Sequence, residues 1–301
     1  MGTPDFAVQT LQELINEHYN VVGVFTKPDK PVGRKRILKF SPVKEKALEY
    51  GINVYQPAKF DEEYVTLVRN LELDACVVAA YGVILPSGVL YAPRYGSFNV
   101  HASLLPKYRG AAPIQASIIN CDSVTGVTIM YMAEKLDSGD VLKKVQTKIG
   151  LNETADELSY RLSKIGARAM CEVLKDVELG VAKRIPQDEQ DASYVFKITK
   201  DMARLNFSKP AMQVHKLICG LSSWPCAYCY LSGKILKIYK SALVRDVSGN
   251  VGEVLFSGNR FVVACRDFAV EFLDVQLEGK KRMGVKDFLN GFKLEKGIYL
   301  Q

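Results

Sequence analysis

Apolar positions in the first half of the chain change period from one segment to the next. Ala7, Leu11, Leu14 and Ile15 recur at helical spacing behind Thr3-Pro4-Asp5, an N-cap followed by proline at the first helical position. Val21–Phe25 is a short apolar run and predicts a strand. Lys27–Pro42 is too rich in Pro, Gly and charge to be either element, and reads as a long exposed loop. Ser41-Pro42 caps a helix to Tyr50, and a second helix covers about Asp61–Leu71. Ala75–Ala80 and Ser97–Val100 read as buried strands. Ala112–Ile119 is helical before a strand at Val124–Met132, and Val141–Ile149 is placed to pair with that strand as an antiparallel edge. Thr154–Leu179 forms a long amphipathic helix, capped by Asn152 or Thr154 and stopped by Gly180. Such alternation predicts an α/β class with a doubly wound, mainly parallel sheet.

The pattern changes after Gly180. Ala182–Ala192 is polar and contains Pro186, as suits a linker. One helix at about Pro210–Cys219 precedes five short strand-like runs, Ala227–Leu231, Lys234–Ser241, Gly252–Phe256, Arg260–Ala264 and Ala269–Gln276, with turns at Gly233, Gly258 and Gly279. Five short strands suggest a small OB-like β-barrel, a scaffold often used on nucleic acids. The expected division is a catalytic domain over 1–180, a linker over 181–205 and a barrel domain over 206–301.

Charge separates the halves further. Across 301 residues the net charge is +7, yet residues 1–180 carry 21 basic and 21 acidic side chains, while residues 181–301 carry 19 and 12. Within the neutral half, Lys27–Lys46 holds eight basic residues against Asp29 and Glu45. One basic loop and one basic domain on a balanced protein are the footprint of a polyanion binder. Seven cysteines without framework spacing favour a reducing compartment. The absence of a membrane-length apolar run or signal peptide adds to the expectation of a cytoplasmic protein.

The first half offers chemistry at one place. Neither G-x-G-x-x-G nor a P-loop occurs, which argues against nicotinamide redox chemistry and ATP phosphoryl transfer. Asn99 and His101 are two apart at the end of a predicted strand, so both side chains leave one face, and strand C-termini are where open α/β sheets bind ligands. Asp137 ends another strand-like run, 36 residues after His101. An amide that can hold an oxyanion, an imidazole that can relay protons and a carboxylate suit acyl transfer.

Several blocks carry a resemblance. Gly2-Thr3-Pro4-Asp5-Phe6-Ala7-Val8, Lys27-Pro28-Asp29-Lys30-Pro31-Val32-Gly33-Arg34, Ala80-Tyr81-Gly82-Val83-Ile84-Leu85-Pro86, Asn99 to Gln115 with its Ser-Leu-Leu-Pro-x-x-Arg-Gly-Ala-Ala-Pro-Ile core, Leu136-Asp137-Ser138-Gly139-Asp140, Ser208-Lys209-Pro210-Ala211, Trp224-Pro225 and Asp287-Phe288-Leu289-Asn290-Gly291 resemble the methionyl-tRNA formyltransferase family in order along the whole chain. The resemblance implies a metal-free transfer of the formyl group of 10-formyltetrahydrofolate to the α-amine of initiator methionyl-tRNA, by a monomeric enzyme of translation initiation with no membrane partner. Asn99 and His101 would stabilise the oxyanion, with Asp137 setting the state of His101. Val83, Ile84, Leu85, Pro86, Ser103, Leu104, Leu105 and Pro106 would line the folate pocket. Arg34, Lys35, Arg36 and Lys39 would meet the tRNA acceptor end, with the basic second domain holding the backbone. The same catalytic domain also serves formyltransferases acting on amino sugar nucleotides and formyltetrahydrofolate hydrolases; a small acceptor needs neither basic feature.

Two departures accompany the resemblance. Family members usually have a short apolar strand immediately before Gly-Thr-Pro, so a central strand is expected to be missing, with exposed sheet edges and lower stability. In the second half, Cys219 stands where arginine is expected, Cys226 and Cys229 flank the Trp-Pro turn, and Arg266-Asp267-Phe268 replaces a Gly-containing turn. His215, Cys219, Cys226 and Cys229 have spacings compatible with zinc, but the sequence lacks a second C-x-x-C pair, and buried reduced cysteines are the expectation.

Overall fold

The computed structural model describes residues 1–32, 37–256 and 259–301. They form two compact units. One gathers Met1–Pro113, Thr125–Thr147 and Ser159–Val195; the other gathers Ile114–Val124, Lys148–Leu158 and Phe196–Gln301.

In chain order as far as Val195 the strands and helices are α1 (Asp5–Asn16), β1 (Val24–Phe25), β2 (Lys30–Val32), β3 (Ile37–Lys39), α2 (Pro42–Glu49), β4 (Val54–Tyr55), α3 (Glu62–Asn70), β5 (Cys76–Ala79), α4 (Ser87–Leu90), β6 (Ser97–His101), β7 (Arg109–Gly110), α5 (Pro113–Ile119), β8 (Val124–Tyr131), β9 (Val141–Lys148), α6 (Ala155–Glu178) and β10 (Tyr194–Val195), with α5 and the first turn of α6 falling in the second unit. β5, β6, β8 and β9 make a four-stranded sheet in that order; β5 and β6 run parallel, and β8 runs against β6. β1 pairs in parallel with β4. The α/β class therefore holds, and within the four-stranded sheet β5 and β6 are parallel while β8 turns antiparallel to β6. Apolar periodicity placed most boundaries within two residues. At α6 the choice falls on Thr154, whose hydroxyl accepts from Glu157 N while Glu157 Oε2 accepts from Thr154 N, a reciprocal capping box.

Two segments differ from expectation. Lys27–Pro42 is not wholly irregular: β2 and β3 pair as an antiparallel hairpin, Lys30 opposite Lys39. The polar stretch after Gly180 is not simply a tether. Ile185 bridges to Val141, and β10 pairs in parallel with β7. Main-chain hydrogen bonding thus outweighs the polar composition of both segments.

At the start of the chain, Met1 and Gly2 lie between β1 and β5. Gly2 N donates to Phe25 O at 2.9 Å, Ala79 N donates to Met1 O at 3.0 Å, and the Met1 ammonium donates to Val77 O at 2.6 Å. Burial lowers the pKa of that ammonium. A cavity of about 660 Å³ opens beside these two residues, lined in part by Leu11, Leu14, Val22, Leu73 and Leu174.

The second unit continues with α7 (Ala211–Leu221), β11 (Ala227–Leu231), β12 (Lys234–Val244), β13 (Val254–Phe256), β14 (Phe261–Ala264), β15 (Ala269–Leu277), β16 (Met283–Gly284) and α8 (Val285–Gly291). Its sheet runs β11-β12-β15-β14-β13 with β16 on β15, entirely antiparallel. Register shifts at Ile238–Ser241 bend the long β12 strand, as a curled OB-like sheet requires. Val214 and Ile218 of α7 enter a core with Leu236, Phe261, Phe272 and Phe288. The unusual Arg266-Asp267-Phe268 turn has a role here, because Asp267 Oδ1 accepts from Ala211 N at 2.8 Å and caps α7.

His215 is fully buried. Its Nδ1 lies 2.8 Å from Ser241 Oγ and its Nε2 3.0 Å from Leu151 O, so a neutral ring is satisfied at both nitrogens. Burial holds its pKa below the ordinary 6.5, with the Lys216 charge acting in the same direction. The unfolded chain then takes up a proton that the folded unit refuses. The stabilisation tied to this residue is complete above about pH 6.5 and is lost as pH falls toward the folded value. The unfolding free-energy difference between wild type and His215→Gln is therefore expected to shrink from pH 7.5 to pH 5.5 in urea titrations; a constant difference would contradict a neutral buried ring.

Candidate active site

The site is built at the carboxyl end of β6, the position that open α/β sheets use for ligands. Asn99 stands between Val78 of β5 and Met130 of β8, and His101 stands opposite Thr128. Val100 alternates with them and is buried against the other face, so Asn99 and His101 share a side of the sheet. Gly166 of α6 lets that helix approach closely: a Cβ there would sit 2.5 Å from Val100 Cγ1.

His101 is 5% exposed, and its ring is held from both ends. Nε2 lies 2.9 Å from Tyr108 O, and an N–H donated there leaves Nδ1 as the nitrogen able to exchange a proton. Nδ1 faces Asp137 Oδ2 at 3.6 Å. The same carboxylate oxygen accepts from Gly110 N at 2.8 Å. Asp137 adopts φ +48°, a left-handed conformation that aspartate tolerates better than most residues. Two glycines make this approach possible. A Cβ on Gly139 would lie 1.9 Å from Tyr131 O, and Gly110 has φ +113° with Val195 O only 2.3 Å from a Cβ position.

The loop after β6 is anchored by the buried Thr128. Its hydroxyl donates to Ser103 O at 2.7 Å and accepts from Leu105 N at 3.0 Å. Ser103 and Leu105 are themselves buried, whereas Leu104 and Pro106 are partly exposed. Val83–Pro86 follows β5, the parallel neighbour of β6, so the two segments expected at the folate pocket leave adjacent strand ends. There Leu85 is buried and Ile84 is 89% exposed, a large apolar side chain with no protein cover.

The basic positions divide. Lys39 is exposed on β3, while Arg34, Lys35 and Arg36 lie outside the described residues. In the second unit Lys280, Lys281, Arg282 and Lys286 are exposed. Among the described residues, no group of three or more His, Cys, Asp or Glu side chains is placed to hold a metal. His215 instead bonds Ser241, Cys219 Sγ lies 3.7 Å from the His215 ring, and Cys226 Sγ contacts Ile238 O. Burial pushes the Cys219 and Cys226 thiols up to about 11.

Sequence reasoning missed the residues that hold this trio. Tyr108 O and Gly110 N act through backbone, which leaves no side-chain signature. Thr128 had a signal, as a polar residue inside the apolar run Val124–Met132. Arg109 stands inside the Arg-Gly-Ala-Ala-Pro-Ile block with nothing local to mark its role, yet it is completely buried and bonds Gln187, Glu189 and Tyr194. Hydrogen bonds from Lys135 and Arg109 hold the Glu189 carboxyl below its usual range.

A family model described as formyl transferase matches residues 1–174, and one described as formyl transferase, C-terminal domain, matches residues 197–293. The chain is 43% identical over 308 aligned positions to the methionyl-tRNA formyltransferase of Lachnospira eligens, covering 100% of this chain and 98% of that one. It is 42% identical over 303 positions to that of Clostridioides difficile, with 100% and 98% covered. The crystal structure of an N-formyltransferase from Helicobacter canadensis, in complex with folinic acid and dTDP-3-aminofucose, gives a TM-score of 0.67 at 21% identity and covers 90% of this chain and 96% of that one. At that identity the likeness is one of fold alone.

Replacing Thr128 by valine keeps the shape of the side chain but leaves Ser103 O and Leu105 N without their buried partner. Each orphaned group costs about 1–3 kcal/mol, so chemical denaturation of Thr128→Val should show a loss of about 2–6 kcal/mol. A change under about 0.5 kcal/mol would show that the hydroxyl does not hold the loop.

Proposed function

The chain belongs to the methionyl-tRNA formyltransferase family, whose members formylate initiator methionyl-tRNA, and from that premise we propose how its residues divide the work. The donor is 10-formyltetrahydrofolate, which supplies an electrophilic formyl carbon. The neutral α-amine of methionyl-tRNA attacks that carbon, a C–N bond forms, and the carbonyl electron pair moves to oxygen. Collapse breaks the bond to folate N10, and the proton released by the amine ends on that nitrogen.

Asn99 donates its amide N–H to the developing oxyanion, a contact of the kind worth about 3–4 kcal/mol in the transition state. His101, tethered through Nε2 to Tyr108 O, handles the amine proton through Nδ1. Asp137, whose Oδ2 faces Nδ1, stabilises the ring when it carries the extra proton. Val83–Pro86 and Ser103–Pro106 hold the folate mainly through backbone and the apolar face of Ile84. The observation that carries this reading is the convergence at the end of β6 of His101, Asp137 and the N–H of Gly110.

The hairpin bearing Lys39, together with Arg34, Lys35 and Arg36, meets the tRNA acceptor end, and the basic second unit holds phosphate further along. These features favour a tRNA-borne amine over an amino sugar nucleotide, whose small size needs neither.

Incubation with 10-formyltetrahydrofolate and charged initiator tRNA should yield N-formylmethionyl-tRNA. Asn99→Ala and Asp137→Ala should each lower turnover by about 10²–10³-fold with an unchanged circular-dichroism spectrum; near-normal turnover in either removes that residue from the assignment. Affinity for tRNA should fall steeply between 50 and 200 mM salt, as expected for several released counterions. A flat salt response would contradict a phosphate-binding role for the basic surfaces.

A further inference from the structure

Asp137 is fixed twice, once through its carboxylate and once through its main chain, and the second anchor comes from a distant segment. Its carboxylate accepts from Gly110 N. Its carbonyl accepts from Gln187 Nε2 at 2.9 Å, and the same amide nitrogen donates to Gly139 O at 2.8 Å. Both donors of the Gln187 amide are therefore spent on the two carbonyls that bracket Ser138. The other half of the amide is equally committed. Gln187 Oε1 accepts from Arg109 Nε at 3.1 Å and from Arg109 Nη2 at 2.9 Å.

Arg109 is itself immobilised. Its guanidinium is fully buried, with Nη1 2.9 Å from Glu189 Oε1 and 3.1 Å from Tyr194 Oη. Its backbone N donates to Ser193 O at 2.8 Å, and β7 pairs with β10 on either side. The hydrogen bonds close a ring. Asp137 Oδ2 reaches Gly110, Gly110 follows Arg109, Arg109 holds Gln187, and Gln187 returns to Asp137 O. Asp137 sits in a left-handed conformation that relaxes readily unless its surroundings enforce it. An amide is the group this ring requires: a carboxylate has no donors for the two carbonyls, and an ammonium has no acceptor for Arg109.

We propose that Gln187 is a positioning residue for formyl transfer, fixing the turn that aims the Asp137 carboxylate at His101 while touching no reacting atom. The role rests on the reading of Asp137 given above. Small displacements of a catalytic group can cost about 10²-fold in rate even when the substituted residue lies outside the chemistry. Residues 185–195, which composition marks as a connector, then belong functionally to the active site.

Gln187→Ala and Gln187→Glu test this in the full-length enzyme, alongside Asp137→Ala. Alanine removes both halves of the bridge and leaves Arg109 Nε and Nη2 unsatisfied, so it also weakens the fold. Glutamate keeps an acceptor for Arg109 but sets a carboxylate oxygen against Asp137 O and Gly139 O in place of the donors, so it breaks the turn's anchor while leaving Arg109 paired. Gln187→Glu is expected to remain folded, with a modest fall in melting temperature and an unchanged folate-binding stoichiometry. Its kcat should fall by about 10–100-fold, with KM for tRNA and folate within about threefold of wild type. Its pH–rate profile should also be displaced, because the Asp137–His101 pair is no longer held; the charged groups around it are Arg109, Glu189 and Lys135. A folded Gln187→Glu enzyme with wild-type kcat, or with lowered kcat and an unshifted profile, overturns the positioning role. Near-normal turnover of Asp137→Ala instead overturns the reading of Asp137 on which it rests, so the two failures are distinct.

Discussion

The hydrogen bond from Gly110 N to Asp137 Oδ2 is the constraint on which this site depends, because it couples two chain segments that no regular element joins. A carboxylate on a surface turn has many orientations and pays entropy to adopt one. Here its direction is set by a backbone N–H whose own position follows from strand pairing at Arg109-Gly110. The imidazole is set in the same way, by a backbone carbonyl at Tyr108. The segment 108–110 therefore positions both members of the pair, one through C=O and the other through N–H. Each glycine involved is present because a side chain there would collide with main chain.

Chemistry and acceptor choice rest on different physics. In the proposed reading the groups at the end of β6 act at short range on whatever amine reaches them. In the same reading the acceptor is restricted by charge on exposed lysines and arginines, whose attraction to a polyanion acts over a Debye length of about 8 Å at physiological salt. A domain that binds a phosphate backbone can vary in sequence as long as its charge remains. The second unit shows this latitude: Cys219, Cys226 and Asp267 depart from the expected pattern, yet two are buried thiols and the third caps a helix.

How much of this was legible beforehand follows from how locally each feature is encoded. Period and caps are local, so α1, α2, α6 and the strands from Ala227 to Leu277 were readable, and the capping box at Thr154-Glu157 only needed choosing from two candidates. Asn99 and His101 were readable because two residues on one strand face need no tertiary information. Asp137 was readable as the carboxylate ending another strand-like run, while its role toward His101 came with the family resemblance. The partners were not readable. Gly110 N and Tyr108 O are main-chain atoms present at every position, and Gln187 lies in a stretch whose polarity resembles solvent-exposed connector. Composition cannot distinguish a polar side chain that faces water from one that satisfies buried carbonyls. The hairpin at Lys30–Lys39 was missed for a similar reason: Pro, Gly and charge argue against a strand, while cross-strand pairing at an exposed site tolerates them.

The central claim is that the negative charge of Asp137, held against His101, drives proton handling during formyl transfer. Asp137→Asn tests it most directly, since an amide oxygen can still accept from Gly110 N while the charge is gone. Under single-turnover conditions with charged initiator tRNA and 10-formyltetrahydrofolate, this variant should bind both substrates normally and transfer the formyl group about 10²–10⁴-fold more slowly. Transfer within a few-fold of wild type would contradict the account, because geometry alone would then suffice.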